Sequence, residues 1–324
     1  ITGRNLIING AMTVDQRNAT TTATGYTLDR FRIVKQNFDE LVIAVTQDTD
    51  NPSGNGFGNS LKLAVTTAES AIASDEALYL QHGMEGQNLQ HLGYGTSSAK
   101  SLTLSFWVKS PLAGKHAVTF YQQTPARSNL QSYTVSSANT WEYKTITIDG
   151  DTSGNIANDN THEFTLFWPL AGGSNYHGTP HTGWGAYSAT DDFMFSDQVN
   201  LAGQTGNFYL TGVQLEVGDK ATPFEHRSFG EELARCQRYF QDYTTDRFRH
   251  QQGYAESGTA YARDVLIPQM RANPTVTVSD ENRNGFDAIS AAGNAPHRVD
   301  FTANCTVTGT SRYYDFKFTA DAEL

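Results

Sequence analysis

The chain has 324 residues, enough for two domains, with only 18% charged residues and a formal net charge of −11. Lys and Arg total 23 against 34 acids, and no basic run occurs, which argues against nucleic acid or an anionic membrane as a direct partner. Aromatic residues at 11% supply the apolar mass a disordered chain lacks, and the abundant Thr, Ser, Asn, Gln and 28 Gly suit short strands and turns better than long helices.

No wholly apolar stretch long enough to span a bilayer is present. The opening ITGRNLIING has no basic region leading into an apolar run, so no signal peptide is read there; Ile1 is not Met, and residues before it are expected. Cys236 and Cys305 are too few for a disulfide framework and are expected as buried free thiols; one bridge is an alternative that nothing in the sequence demands.

In chain order, the apolar run Leu6-Ile7-Ile8 leads into NGAMTVDQRN, a Thr-rich loop and YTLDRFRIV. LVIAVTQDTD places Leu41, Ile43 and Val45 on one strand face, and after the turn NPSGNGFGNS, LKLAVTT does the same with Leu61, Leu63 and Val65. The stretch from 70 to 90 reads as a helical turn and then a strand over EALYLQHGMEG. SLTLSFWVKS is the clearest strand: Leu102, Leu104, Phe106 and Val108 alternate with Thr103, Ser105, Trp107 and Lys109, and Pro111 and Gly114 end it. KHAVTFYQQT, WEYKTITID and HEFTLFWPL follow, the last with Phe164, Leu166 and Trp168 on one face. After a long Gly/Ser/Asn/His-rich excursion over 171–207, FYLTGVQLEVG closes the region.

The spacing predicts an N-terminal β-sandwich over 1–222, read as a jelly roll, and the habit of that fold, not the pattern, puts its last strand near its first. A helical linker is expected over 223–242. Ser228 and Glu231 form a capping box, Phe229, Leu233, Cys236 and Phe240 form one apolar stripe, and the helix runs from Phe229 to about Gln241. Residues 243–324 return to strands and predict a smaller C-terminal β-sandwich, thin enough to suggest oligomerisation, most simply a homotrimer that hides its edge strands. The fold class is all-β.

Catalytic patterns are absent from the sequence: there is no G-x-S-x-G, no H-E-x-x-H and no phosphate-cradling glycine loop. His177 and His181 have metal-ligand spacing, but Gly178 and Pro180 exclude a helix between them, so solvated loop histidines are the default. Asp191-Asp192 and Asp149…Asp151 read first as turn formers, and glycoside cleavage by such a pair is the weaker reading. No enzyme and no required cofactor are expected. A structural calcium ion between first and last strands is the one metal candidate, with Asn9, Asp15 and Glu216 as ligands by position.

Glycan sites stack sugar C–H faces on aromatic rings and fix hydroxyls with polar groups. The excursion offers Tyr176, His177, His181, Trp184, Tyr187, Asp191 and Asp192 for this, and long ordered loops tend to be functional. The competing reading is that Trp184 and Tyr187 plug the sandwich end or a subunit interface. Trp107 points away from the apolar face of its strand, either into further packing or as a glycan platform.

NLIINGAMTVDQRN, YTLDRF, SLTLSFWVKS, NTWEYKTITIDGDTSG and TGNFYLTGVQLEVG…ATPFEHRSFGEELARCQRYF resemble, in order and spacing, blocks of tail-fibre-like or carbohydrate-binding-like virion proteins of marine bacteriophages. The resemblance spans about 4–240 and returns at FKFTADAEL. It implies a jelly-roll module on a virion, exposed as a fibre or spike and trimeric, with other virion proteins and host surface polysaccharide as partners. It transfers no catalytic residue. Three functions follow in order of expectation: non-catalytic attachment to a host glycan, a purely structural decoration or adaptor, and a glycan-degrading depolymerase.

Overall fold

The computed structural model describes residues 3–18, 20–181 and 183–324. The protein is all-β, in two compact units, the first closing at Glu232 and the second spanning Leu233–Glu323. The division between them falls inside a helix, Phe229–Gln237.

The first unit has twelve strands: β1 Gly25–Tyr26, β2 Phe31–Gln36, β3 Val42–Asp48, β4 Ser60–Thr67, β5 Ala77–Glu85, β6 Leu102–Lys109, β7 Gly114–Gln122, β8 Arg127–Val135, β9 Glu142–Ile148, β10 His162–Gly172, β11 Gly185–Ala186 and β12 Gly206–Val217. They form a seven-stranded sheet in the order β1-β2-β5-β10-β7-β8-β11 and a five-stranded sheet in the order β3-β4-β12-β6-β9, with every pairing antiparallel. The two inner faces share one core. Leu102, Leu104, Phe106 and Val108 from β6 are fully buried in it, as are Phe164, Leu166 and Trp168 from β10. The Trp168 ring meets Phe31 of its own sheet at 6.5 Å and Phe106 of the other at 6.1 Å. Each such side chain contributes roughly 1.5–3 kcal/mol of burial.

The opening block of the sequence is a clasp rather than a strand. Leu6 N–H donates to the Leu215 carbonyl of β12, and Val213 N–H donates to Gly10. The buried Asn5 amide donates to Val213 O (3.1 Å), and its Oδ1 accepts from Ile7 N (3.0 Å) and Leu215 N (3.1 Å). Gly10 is required by contact, since a Cβ there would lie 2.1 Å from Val213 O. The far end of the unit closes on the same segment: Glu225 accepts from Gly3 N and Asn5 N, each at 2.7 Å, Glu232 accepts from Asn9 N at 2.6 Å, and Arg227 donates to Asn5 O and Ile7 O while pairing with both acids. Burial pushes the Glu225 carboxyl up, but these backbone N–H donors outweigh it and hold it below the usual range.

A four-residue helix, α1 (Ala189–Asp192), interrupts the excursion, and α2 (Phe229–Gln237) joins the units. Ser228 Oγ caps α2 by accepting from Glu231 N at 3.2 Å. Two expectations for α2 are corrected. It ends four residues early, because Tyr239 N–H turns back to Cys236 O and Phe240 enters a strand paired with Asp321. Phe229 is 60% exposed instead of lying on the buried stripe; Glu232 takes the inward position because Asn9 and Arg227 satisfy its carboxylate.

The second unit has strands β13 Phe240–Asp242, β14 Phe248–Ala255, β15 Ala260–Leu266, β16 Thr275–Asn284, β17 Ser290–Ala295, β18 Arg298–Asn304 and β19 Gly309–Asp321. The long β19 pairs with β13, β14 and β16, and β18 lies between β15 and β17. Tyr314, Phe316 and Phe318 on alternate positions of β19 are fully buried, and Phe301 of β18 meets the Phe316 ring at 4.2 Å. Cys236 and Cys305 are buried and are not joined by a disulfide.

Candidate functional site

Antiparallel register places outward side chains in rows across the seven-stranded sheet. Arg32, Gln81, Phe167 and Thr119 are consecutive partners across β2, β5, β10 and β7. Gly83, Thr165 and Tyr121 make the next row, and Tyr79 opposite Val34 and Pro169 belongs to the row on the other side. Gly83 has no side chain because the His162 ring occupies that space, 2.7 Å from where a Cβ would sit.

The excursion after β10 lies across this face. Phe193 and Met194 are buried against Ala77, and Thr119 Oγ1 donates to Phe193 O at 3.0 Å. Tyr187 N–H donates to Ala126 O at 3.0 Å, which sets its ring edge-on to Tyr121 at 4.8 Å. Tyr121 in turn meets Phe167 at 5.5 Å, and Phe167 meets Tyr79 at 5.5 Å. Strands and loop together enclose a groove of about 310 Å³ bordered by Arg32, Tyr79, Gln81, Tyr121, Phe167 and Tyr187. Burial raises the Tyr79, Tyr121 and Tyr187 hydroxyls above the ordinary tyrosine value, so they stay protonated donors. Among the described residues, neither the Arg32 guanidinium nor the Gln81 amide has a hydrogen-bond or ion-pair partner. Gln123 and His162 close one end, their Nε2 and Nδ1 3.4 Å apart.

The residues singled out in the excursion separate in space. Tyr187 lines the groove. Tyr176 braces it, packing on Phe193 at 5.5 Å while its hydroxyl accepts from Gln36 at 2.7 Å. Trp184 turns the other way and packs on Tyr94 (5.8 Å) and Phe164 (6.1 Å), its Nε1 donating to Asp149 O at 2.8 Å. It thus plugs the sandwich rim, with one edge on a polar cleft that also holds the Arg127–Asp151 ion pair. His181 bonds Ala186 O at 2.7 Å and lies 3.2 Å from Asp192, and His177 is half-buried in the same loop. Asp191 accepts from Thr179 N and Ser188 Oγ, and Asp192 from Ser188 N, which makes both local turn and cap residues. Trp107 stands on the outer face of the five-stranded sheet beside Tyr143, away from the groove.

The calcium ligands do not fit an ion. The Asn9 carboxamide is used up by Val14 N, Val14 O and Asp29 O. Glu216 is held by Arg4, Gln214 and Thr222, and Asp15 accepts from Asn18 N. The three share no partner, and N–H and O–H donors already face the oxygens a cation would need. Among the described residues no group of three or more His, Cys, Asp or Glu is placed to hold a metal.

No family model and no curated protein matches the sequence. Solved structures with similar folds include the enzymatically active domain of tailspike protein 4 of bacteriophage CBA120, at 12% identity and a TM-score of 0.39, covering 66% of this chain and 21% of that one. They also include the carbohydrate-binding module TmCBM61 in complex with β-1,4-galactotriose (11%, 0.33, covering 67% and 100%) and the family 11 carbohydrate-binding module of the Clostridium thermocellum cellulase Lic26A-Cel5E (13%, 0.32, covering 63% and 97%). This chain therefore spans about a fifth of the tailspike chain it matches. At such identity and overlap the likeness carries no function, which has to be argued from the site.

Proposed function

We propose that this chain is a non-catalytic glycan-binding protein that holds a host surface polysaccharide in the groove of the seven-stranded sheet. One observation carries the reading: Tyr79, Tyr121, Phe167 and Tyr187 converge on the same groove as the Arg32 guanidinium and Gln81 amide, which have no hydrogen-bond or ion-pair partner among the described residues. Rings take the apolar faces of sugars, and the guanidinium and amide fix hydroxyls or carboxylates, the usual division of labour in a ligand groove. Besides the three tyrosine hydroxyls, the side chains bordering it carry a guanidinium, two amides and an imidazole, and Leu324 completes the rim, a set suited to holding a saccharide. Glycoside cleavage instead uses paired carboxyl groups flanking the bond.

The finer proposal is that the chain is a homotrimeric fibre or spike on a phage particle and attaches it to its host. The support is the order and spacing of the sequence blocks over residues 4–240. An array of host capsular and lipopolysaccharide glycans probed with the purified protein tests the binding reading. Binding to at least one glycan, lost in Tyr121→Ala and Arg32→Ala variants that melt like the parent, is the expected result. A glycan bound equally by parent and both variants refutes the groove, and silence across the array leaves the structural decoration or adaptor reading in its place. Release of reducing sugar from a bound glycan would restore the depolymerase.

A further inference from the structure

The outer face of the five-stranded sheet carries a larger aromatic cavity, of about 510 Å³. Trp107 on β6 and Tyr143 on β9 are direct partners in register and form its floor, with ring centroids 5.3 Å apart. Tyr143 is 44% exposed. The wall is built from two loops: Phe57 meets Phe224 at 5.0 Å and His226 at 5.3 Å.

The opening between floor and wall depends on a bulge. The pairing of β12 with β6 slips between Thr211 and Gln214, and Gly212 sits there at φ +62°. A Cβ at 212 would lie 2.7 Å from Phe57 and 3.1 Å from Trp107. Left-handed backbone and missing side chain thus occur together at the point where the cavity needs room. Nothing in the groove of the other sheet uses these residues.

We infer that this cavity is a second, independent saccharide site that takes a neutral pyranose. Its lining holds no carboxylate, Lys or Arg; beside the floor rings its polar side chains are the Asn55 amide, the buried Ser105 hydroxyl and the His226 imidazole. A pyranose matches that arrangement, with an apolar C–H face for Trp107 and Tyr143 and hydroxyls for the edge. The cavity is walled on one side by Phe57, Phe224 and His226, which suits a ring better than an extended proline-rich chain crossing an open groove. Sites on opposite faces of one sandwich let a single module grip two strands of a polysaccharide, which raises avidity without new contacts. The inference stands on its own geometry and does not need the groove to bind.

The test titrates the intact protein with cellohexaose, laminarihexaose and maltohexaose, following tryptophan fluorescence and heat. At least one of the three changes the fluorescence, and Trp107→Phe removes that change. Tyr143→Ala weakens the interaction at least about tenfold; the Tyr143 side chain is largely outside the core, so its melting temperature stays at the parent value. Tyr121→Ala, which strips the groove, leaves the signal in place, so failure of the groove and failure of the cavity are read separately. Silence with all three oligosaccharides, a signal indifferent to Trp107→Phe and Tyr143→Ala, or a Trp107 response to decaproline in place of sugar overturns the inference.

Discussion

Asn5→Ala tests the claim that the opening block of the chain is a structural clasp. The Asn5 side chain is buried and makes three bonds to backbone, to Val213 O, Ile7 N and Leu215 N. Truncation leaves two N–H groups and one carbonyl without their partner. The carbonyl's share is the smaller one, since an under-satisfied C=O is better tolerated than an orphaned N–H. An orphaned buried backbone group costs about 1–3 kcal/mol, so two N–H groups give about 2–6 kcal/mol, with the lower half favoured if water enters the space. For a unit of this size, about 3 kcal/mol lowers the melting temperature by roughly 6–12 °C. Urea unfolding and a thermal melt measure it, and the urea slope should not change. Asn5 lies on the clasp and not in the groove, so the folded fraction keeps its glycan affinity. A loss under about 1 kcal/mol, or a glycan-binding defect at unchanged stability, refutes the reasoning.

Burial, with Arg30 beside it, pushes the His82 imidazole down to about 3, and burial takes His116 to about 4. Both are neutral in folded and unfolded chains above the ordinary histidine value, about 6.5. Below it the unfolded chain takes up protons the folded one refuses, so stability is full above about pH 6.5 and falls as the pH drops towards 4 and 3. Each histidine costs up to about 1.4 kcal/mol per pH unit in that window, or about 2 kcal/mol at pH 5. Urea midpoints at pH 7.5 and 5 check this, and His82→Gln should flatten the slope; an unchanged slope counts against it. Addition of EDTA should leave the melting temperature unaltered, because Asn9 and Glu216 already have hydrogen-bond donors. A fall restored by Ca²⁺ would show a cation site these bonds do not reveal.

Two-residue alternation made β6, β4 and β10 legible in the sequence, since the inner positions there are apolar and the outer ones, Trp107 and Phe167 apart, are mostly polar. The cap at Ser228 was legible for the same local reason. Glu232 was not: an acid on the inward side of a helix is explained only by Asn9 and Arg227, and Asn9 is more than two hundred positions away. The groove was half legible. Tyr187 stood out in a long aromatic loop, but Tyr79, Gln81, Tyr121 and Phe167 are single outward positions on separate strands and meet only through sheet register. The one local signal of Tyr79, Tyr121 and Phe167 is an aromatic ring where alternation calls for a polar side chain, and Gln81 has none. Trp184 misled for a related reason, because loop composition does not say which way a ring turns, and this one turned into the rim against Tyr94 and Phe164.

The most direct test of the account is isothermal titration of the glycan recovered from the array into the parent protein and the Tyr121→Ala/Arg32→Ala double variant. The account predicts saturable binding by the parent and a loss of at least about a hundredfold in the variant at equal melting temperature, since a stacking ring and a charged donor both go. Equal affinity in the two proteins would contradict it.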